Sequence, residues 1–508
     1  MSEPLKQLPV GVANFCDIRG NINYVYADKT EFLYNLFQSD APYFLSRPRR
    51  FGKTLLVDTL EEILGGHREL FKGLWIDGSD YDWTPNPVIR LNLNGVDSRS
   101  VESLESGLIA DLHSIALFEG LSIKGANPSE VFKSLFDELY IKHGRKVAVL
   151  IDEYDAPITR QIENPELADK ILKTLETFFG VLKAKDRERG FTFITGIARF
   201  SQASLFPSLN NLVDLTFDGR CAAICGFTIQ EFDNLFPKHM ERLLSRFISN
   251  KAMPPGSTVS DLRRLVLDWF DGYGWGGQTR VLNPWAILNT FDDNIVDDYW
   301  TQSGGFTSFL AKRVKERLGG PKSIEAEISL SKASDVMELG ENLNPVAALF
   351  QTGYLTVERV KKGSENAEYL LKFPNLEVKS HLVPILFDLG LVDNPFAAKK
   401  QALAMARAIT ERDAEGFKDS FDDFLKVSFP GLRVSNKAHC QAIIEVAMFL
   451  ADQKIKTRVA LGEGGLGASF ETPDGSAFNL KLTHGPFGEL EVSKGRRDLD
   501  TAPSRELN

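Results

Sequence analysis

Apolar residues in the first half of the chain concentrate in short segments, separated by longer stretches of helical periodicity. The segments are Tyr43-Phe44-Leu45, Val88 to Leu93, Val147 to Ile151, Phe191 to Thr195 and Leu212 to Phe217. Short, bounded segments of this kind predict strands, and the five successive apolar residues Val147 to Ile151 predict one buried on both faces. Asp28-Lys29-Thr30-Glu31 opens a helix through Phe37, with Asp28 placed to cap it. A second helix is predicted over 54–64, closed by Gly65-Gly66. Further helical patterns cover roughly 100–119, 128–143 and 166–185. Strands alternating with helices predict an α/β fold, a parallel sheet with helices on both faces. Ligands of such sheets sit beyond the carboxyl ends of the strands.

The pattern changes after about residue 227. A glycine and aromatic cluster, Trp269 to Gly277, precedes Asn283-Pro284-Trp285, which caps a helix to about 291. Leu349 to Thr356 reads as a helix end entering a hairpin, with Tyr369 to Phe373 as the return strand. Helices followed by a hairpin suggest a lid or winged-helix-like domain over 228–380. The helical pattern 395–428 opens a third, small α+β domain over 381–492, and the polar residues 493–508 read as a disordered tail. The expected division is therefore 1–227, 228–380, 381–492 and the tail.

Composition adds limits. The 508 residues are 43% hydrophobic and 25% charged, enough for several packed cores. A net charge of −10 argues against a surface built wholly for nucleic acid. Basic runs at 47–53, 312–317 and 359–362 are local, and the last two read as solvated faces. The four cysteines, Cys16, Cys221, Cys225 and Cys440, complete no zinc pattern and read as thiols in a reducing compartment. The first ten residues hold no signal-like apolar run and no stretch has transmembrane length, which makes the cytoplasm the default and a membrane role unexpected.

The chemistry concentrates at three strand ends. Ser46-Arg47-Pro48-Arg49-Arg50-Phe51-Gly52-Lys53-Thr54 joins an apolar strand to a helix and ends in the Gly-Lys-Thr of a phosphate loop of the Walker A kind. Its backbone N–H groups and the helix start would cradle phosphate oxygens, with Arg49, Arg50, Phe51, Gly52, Lys53, Thr54 and Leu55 as the nucleotide-binding residues. Lys53 would pair with the β- and γ-phosphates, and the Thr54 hydroxyl would ligate Mg²⁺. The full pattern has glycine where this chain has Arg47, so the loop must bend with the help of Pro48 or bend less. Taken alone, the motif is also compatible with an ordinary basic strand-to-helix turn.

The second strand end, Ile151-Asp152-Glu153-Tyr154-Asp155, has the Walker B character: Asp152 would hold Mg²⁺ and Glu153 would act as general base on water. The bland alternative is an acidic turn. At the third, Thr195 could sense the γ-phosphate or position water, and Arg199 could stabilise transition-state charge within the subunit or across to a neighbour. Their alternatives are a strand-end hydroxyl bonded to backbone, and an ion pair of Arg199 with Asp155 or Asp214.

These motifs resemble the bacterial predicted AAA-ATPase family, whose members often carry a C-terminal nuclease domain of the PD-(D/E)xK type. The resemblance covers most of residues 8–380. Its markers include Tyr26-Ala27-Asp28-Lys29-Thr30, the loop 44–54, Leu150 to Asp155, Thr195 to Ser201, Phe270-Asp271-Gly272-Tyr273, Asn283-Pro284-Trp285 and Gln351 to Thr356. It implies a P-loop NTPase fold with ATP and Mg²⁺ as cofactors, and makes Arg47 a variant of the family itself. It also places a nuclease hairpin at Gly467 to Leu482, turning through Thr472-Pro473-Asp474-Gly475. There the metal carboxylates are missing. Ala468 or Ser469 stands for the first and Asn479 for the second, leaving Asn479-Leu480-Lys481, while Glu471 either alternates onto a different face from Ser469 or lies too near the turn.

The leading expectation is an ATP-hydrolysing switch whose nuclease-like domain is inactive and binds a nucleic acid or protein partner. Self-association stays open, because an Arg199 working across subunits would need it. An ATP-regulated nuclease and a non-hydrolysing scaffold are the alternatives.

Overall fold

The structure is a computed structural model. It describes residues 5–300 apart from short gaps (21–22, 40, most of 201–210, 251, 277, 298 and 300), 344–378 apart from 363–366, 395–428, and parts of 444–494. Contacts divide the chain into two compact units: Met1–Arg313 with Ile324–Lys379, and Val314–Ser323 with Ser380–Asn508.

The first unit is organised by five strands: β1 (Pro42–Ser46), β2 (Val88–Asn92), β3 (Val147–Asp152), β4 (Arg189–Gly196) and β5 (Val213–Asp214). They pair in the order β2-β3-β4-β1-β5, and every pairing is parallel. Parallel neighbours need crossovers, and α1 (Phe15–Gly20), α2 (Thr30–Phe37), α3 (Lys53–Leu64), α4 (Val101–Phe118), α5 (Pro128–His143), α6 (Ala156–Thr159), α7 (Pro165–Phe179) and α8 (Val181–Ala184) flank the sheet. Every residue of β3 is buried, so both faces are covered there, as the unbroken Val147–Ile151 run requires.

The expected elements appear with instructive differences. The helix 128–143 has its Asn127 cap, accepting from the Glu130 N–H, and Gly144 in the left-handed region at its end. The pattern 166–185 breaks into α7 and α8 at Gly180. The strand expected over 212–217 shortens to Val213–Asp214, because the Asp214 side chain caps the Thr216 N–H and turns the chain away. Asp28 does accept from the Thr30 N–H, at 2.9 Å, and also from the Thr30 hydroxyl.

Downstream in the same unit, helices Ile229–Leu235, Pro237–Ser249, Val259–Phe270 and Pro284–Asn289 pack through Phe232, Phe236, Leu243, Leu262, Phe270 and Phe291. Helix Pro345–Gln351 leads into the antiparallel hairpin Thr356–Lys362 with Ala367–Lys372. The basic run 312–317 lies outside the described residues.

In the second unit, helices Pro395–Glu411 and Ala414–Ser428 pair, and four antiparallel strands, Lys456–Gly462, Gly465–Glu471, Ala477–His484 and Leu490–Lys494, lie in sequence order. Met405, Phe417, Phe421, Phe470, Phe478 and Leu480 form its core. The predicted hairpin pairs Ser469 with Asn479 and Gly467 with Lys481 in an uninterrupted ladder. Residues two apart share a face, so Glu471 stands on the same face as Ser469, and the expectation of a different face is corrected. Glu471 pairs with Ala477 at the turn end of that ladder. Ser493 and Lys494 belong to the last strand rather than to a disordered tail. The turn 473–476, Cys440 and the rest of the tail lie outside the described residues.

Candidate nucleotide site

All five residues of β1 are buried, which fixes where the loop after Ser46 begins. The loop then turns at two left-handed residues, Arg50 (φ 66°) and Gly52 (φ 90°). Gly52 caps α3, and a Cβ there would meet nothing within 4 Å, so glycine is needed for conformation rather than for space. Arg47 is not left-handed, and the bend expected near Pro48 comes three to five residues beyond Arg47 instead. Lys53, the first residue of α3, is 4% exposed and curls back under the loop, its Nζ donating to the Pro48 carbonyl at 3.0 Å. The first turn of α3 leaves N–H groups without intrahelical partners at the mouth of a cavity of about 540 Å³.

The end of β3 faces this loop. Asp152 is fully buried; one carboxylate oxygen accepts the Glu153 N–H at 3.0 Å, and the other is buried with no hydrogen-bond partner. Burial pushes the Asp152 carboxyl above its usual range, with the Thr54 hydroxyl opposing the rise. Glu153 is left-handed (φ 50°), unusual for a side-chain-bearing residue, and its carboxylate lies 3.9 Å from the Lys53 ammonium. Asp155, 1% exposed, accepts from the backbone N–H of Ala198 at 2.6 Å and of Ile197 at 3.2 Å. Burial, then the charge of Glu153, pushes its pKa up to about 6. Tyr154 ties down the same segment, its hydroxyl donating to the Ala198 carbonyl and accepting from the Phe200 N–H.

All seven residues expected to bind nucleotide, Arg49 to Leu55, line the cavity, and Glu153 joins them. Thr195 and Arg199 do not line it. The Thr195 hydroxyl donates to the Leu45 carbonyl at 2.7 Å, the backbone alternative seen in the sequence. Arg199 pairs with Asp214 at 2.7 Å and lies over the Phe217 ring, while its backbone N–H donates to Gln351. Of the two partners foreseen for Arg199, the structure pairs it with Asp214, while Asp155 accepts backbone amides.

The cavity also gathers residues that motif reading left without a role. Lys29, 8% exposed, donates to both Glu231 oxygens at 2.6 and 2.7 Å, and burial lowers its pKa. Arg160 donates to the Val96 carbonyl and to Asn94. The Arg50 guanidinium stacks on Trp285, 4.4 Å from the ring centroid. With Arg49, Arg50 and Lys53, these cations outnumber Glu153 and Asp155 around the cavity, which favours a polyanionic ligand. Lys29 and Trp285 stood in recognisable motifs, but nothing local said that they meet the loop.

Residues 9–206 match the family described as Predicted AAA-ATPase. An "Uncharacterized protein in vnfD 5'region" of Azotobacter chroococcum mcd 1 is 33% identical over 423 residues, spanning 82% of this chain and 77% of that protein. The chain belongs to one family with that uncharacterized protein, and its residues 9–206 belong to the predicted AAA-ATPase family. The parallel five-stranded sheet is consistent with a P-loop NTPase. The AAA-ATPase match spans both strand ends that face the cavity, and ends before Glu231 and Trp285. No helix among the described residues is long and apolar enough to cross a membrane. The described cysteines, Cys16, Cys221 and Cys225, are free thiols.

Proposed function

We propose that this AAA-ATPase-like chain binds and hydrolyses ATP with Mg²⁺. One observation carries the reading: the start of α3, the Lys53 ammonium and Glu153 line a single cationic cavity, with Asp152 buried next to Glu153 at the end of β3. The residues present fit the groups implied. The partnerless Asp152 oxygen and the Thr54 hydroxyl are the ligands for Mg²⁺, which supplies charge neutralisation on the phosphates. Arg49, Arg50 and Lys53 hold the phosphate chain, and the α3 amides complete the cradle. Glu153, now within reach of Lys53, is the group that takes the proton of the attacking water. Thr195 and Arg199 have no part in this reading as placed. The described elements within 228–378 act as the lid, joined to the loop through Trp285 on Arg50 and to Lys29 through Glu231.

Steady-state hydrolysis with Mg²⁺, with and without DNA or RNA, tests the proposal, using Lys53→Ala as the blank. Turnover above the blank is expected, and none in any condition would remove the hydrolytic reading. For the second unit we keep the reading of a nuclease-like fold without its carboxylates, since neutral residues stand at 469 and 479. Metal-dependent cleavage of DNA or RNA lost on Lys481→Ala would overturn it.

A further inference from the structure

Two side chains of the phosphate loop reach far down the chain. Arg47 has no solvent exposure, and among the described residues no carboxylate pairs with it. Its guanidinium donates to the carbonyls of Ser46 (2.8 Å), Thr216 (3.1 Å) and Cys221 (3.1 Å), and lies 4.1 Å from the centroid of the Trp275 ring. Burial pushes its pKa down to about 10. Phe51, 1% exposed, meets Tyr273 edge-on at 4.7 Å and Trp275 at 5.5 Å, and those two rings stack on each other at 6.4 Å. The Phe51 carbonyl accepts the Gly226 N–H at 3.2 Å.

These anchors bracket Pro48-Arg49-Arg50, the part of the loop that belongs to no strand or helix. A buried guanidinium is costly without partners, and here carbonyls and an aromatic face stand where a carboxylate usually would. The common form of the motif leaves this position to glycine. Here the backbone at 47 needs no glycine, and the side chain holds the loop from beneath.

We propose that Arg47 and Phe51 are positioning residues, and that the Tyr273–Trp275 pair sets the shape of the loop that receives the triphosphate. This rests on the ATP reading above for the ligand, but not for the loop. Its sharpest consequence is that Arg47→Gly, which restores the common motif, loosens the loop and weakens nucleotide binding.

The test combines hydrogen exchange of the nucleotide-free full chain with ATP titration, in the wild type, Arg47→Gly, Arg47→Lys, Trp275→Ala and Trp275→Phe. Peptides covering 47–52 are expected to exchange about tenfold faster in Arg47→Gly and Trp275→Ala, with peptides of β3 unchanged, and less so in Arg47→Lys and Trp275→Phe. The ATP Kd is expected to rise about tenfold in Arg47→Gly, with kcat at saturation retained because Asp152 and Glu153 are untouched. Should Trp275→Ala fail to fold, Trp275→Phe decides, and wild-type loop exchange there and in Arg47→Gly would overturn the proposal. A fall in kcat at unchanged Kd would overturn it too. If the wild type binds no ATP, the exchange comparison still judges the loop, and the ATP reading alone falls.

Discussion

Glu153 occupies a left-handed conformation that costs on the order of 1–2 kcal/mol for a residue with a Cβ, and its neighbours hold it there. Asp152 anchors its N–H, and Tyr154 and Asp155 are pinned to the segment after β4. Glu153→Gln is therefore expected to keep ATP affinity while lowering turnover by about 10²–10⁴-fold, checked by nucleotide titration beside single-turnover hydrolysis. Asp155 gives a pH prediction. Its folded pKa of about 6 lies above the ordinary aspartate value of 3.8, so the folded state keeps a proton that the unfolded state has released. This group's contribution to stability thus falls as pH rises from about 4 to about 6, by about 3 kcal/mol, and is level above that. Asp155→Asn should flatten this part of the profile, as followed by urea denaturation at pH 4.5, 5.5 and 7. An unchanged slope would mean that Asp155 does not titrate in this window.

At the scale of elements, one tight joint lies between the end of the helix Val259–Phe270 and the segment after the hairpin. Gly272 is left of the usual range for side chains (φ 124°), and a Cβ there would come within 2.1 Å of the Pro374 carbonyl oxygen. Gly272→Ala is expected to cost about 2 kcal/mol or more, read as a fall in the denaturation midpoint without a change in m. Elements with local instructions were readable in the sequence: α5 carries its own cap, its apolar stripe and its glycine stop. The final sheet strand is shorter than the pattern predicts, because four of the six residues Leu212 to Phe217 are apolar and the Asp214 cap on Thr216 ends the strand. The α7–α8 break was hidden for a similar reason, since the apolar period continues through Gly180.

At the scale of the whole molecule, the two units make a truncation informative. A chain ending at Lys379 retains the whole first unit and is expected to keep its ATP affinity within about twofold, measured against the full chain by titration. A large loss would show that the second unit shapes the site. Most strand segments, the phosphate loop and the paired carboxylates were determined by the sequence itself, because each is a local pattern of apolar residues and short-range spacing, whereas the order β2-β3-β4-β1-β5 came from pairing between distant segments. Which residues complete the site was decided by the tertiary structure. Thr195 and Arg199 stand at a strand end as the motif expects, yet Leu45 and Asp214, 150 and 15 residues away, take their polar groups, and packing chose those partners among the alternatives the sequence offered. Lys29, Trp285 and the cage around Arg47 enter because packing brings segments more than two hundred residues apart to the loop and its cavity. Local pattern sets what each segment becomes; hydrogen-bond satisfaction and burial across segments set which side chains remain for chemistry.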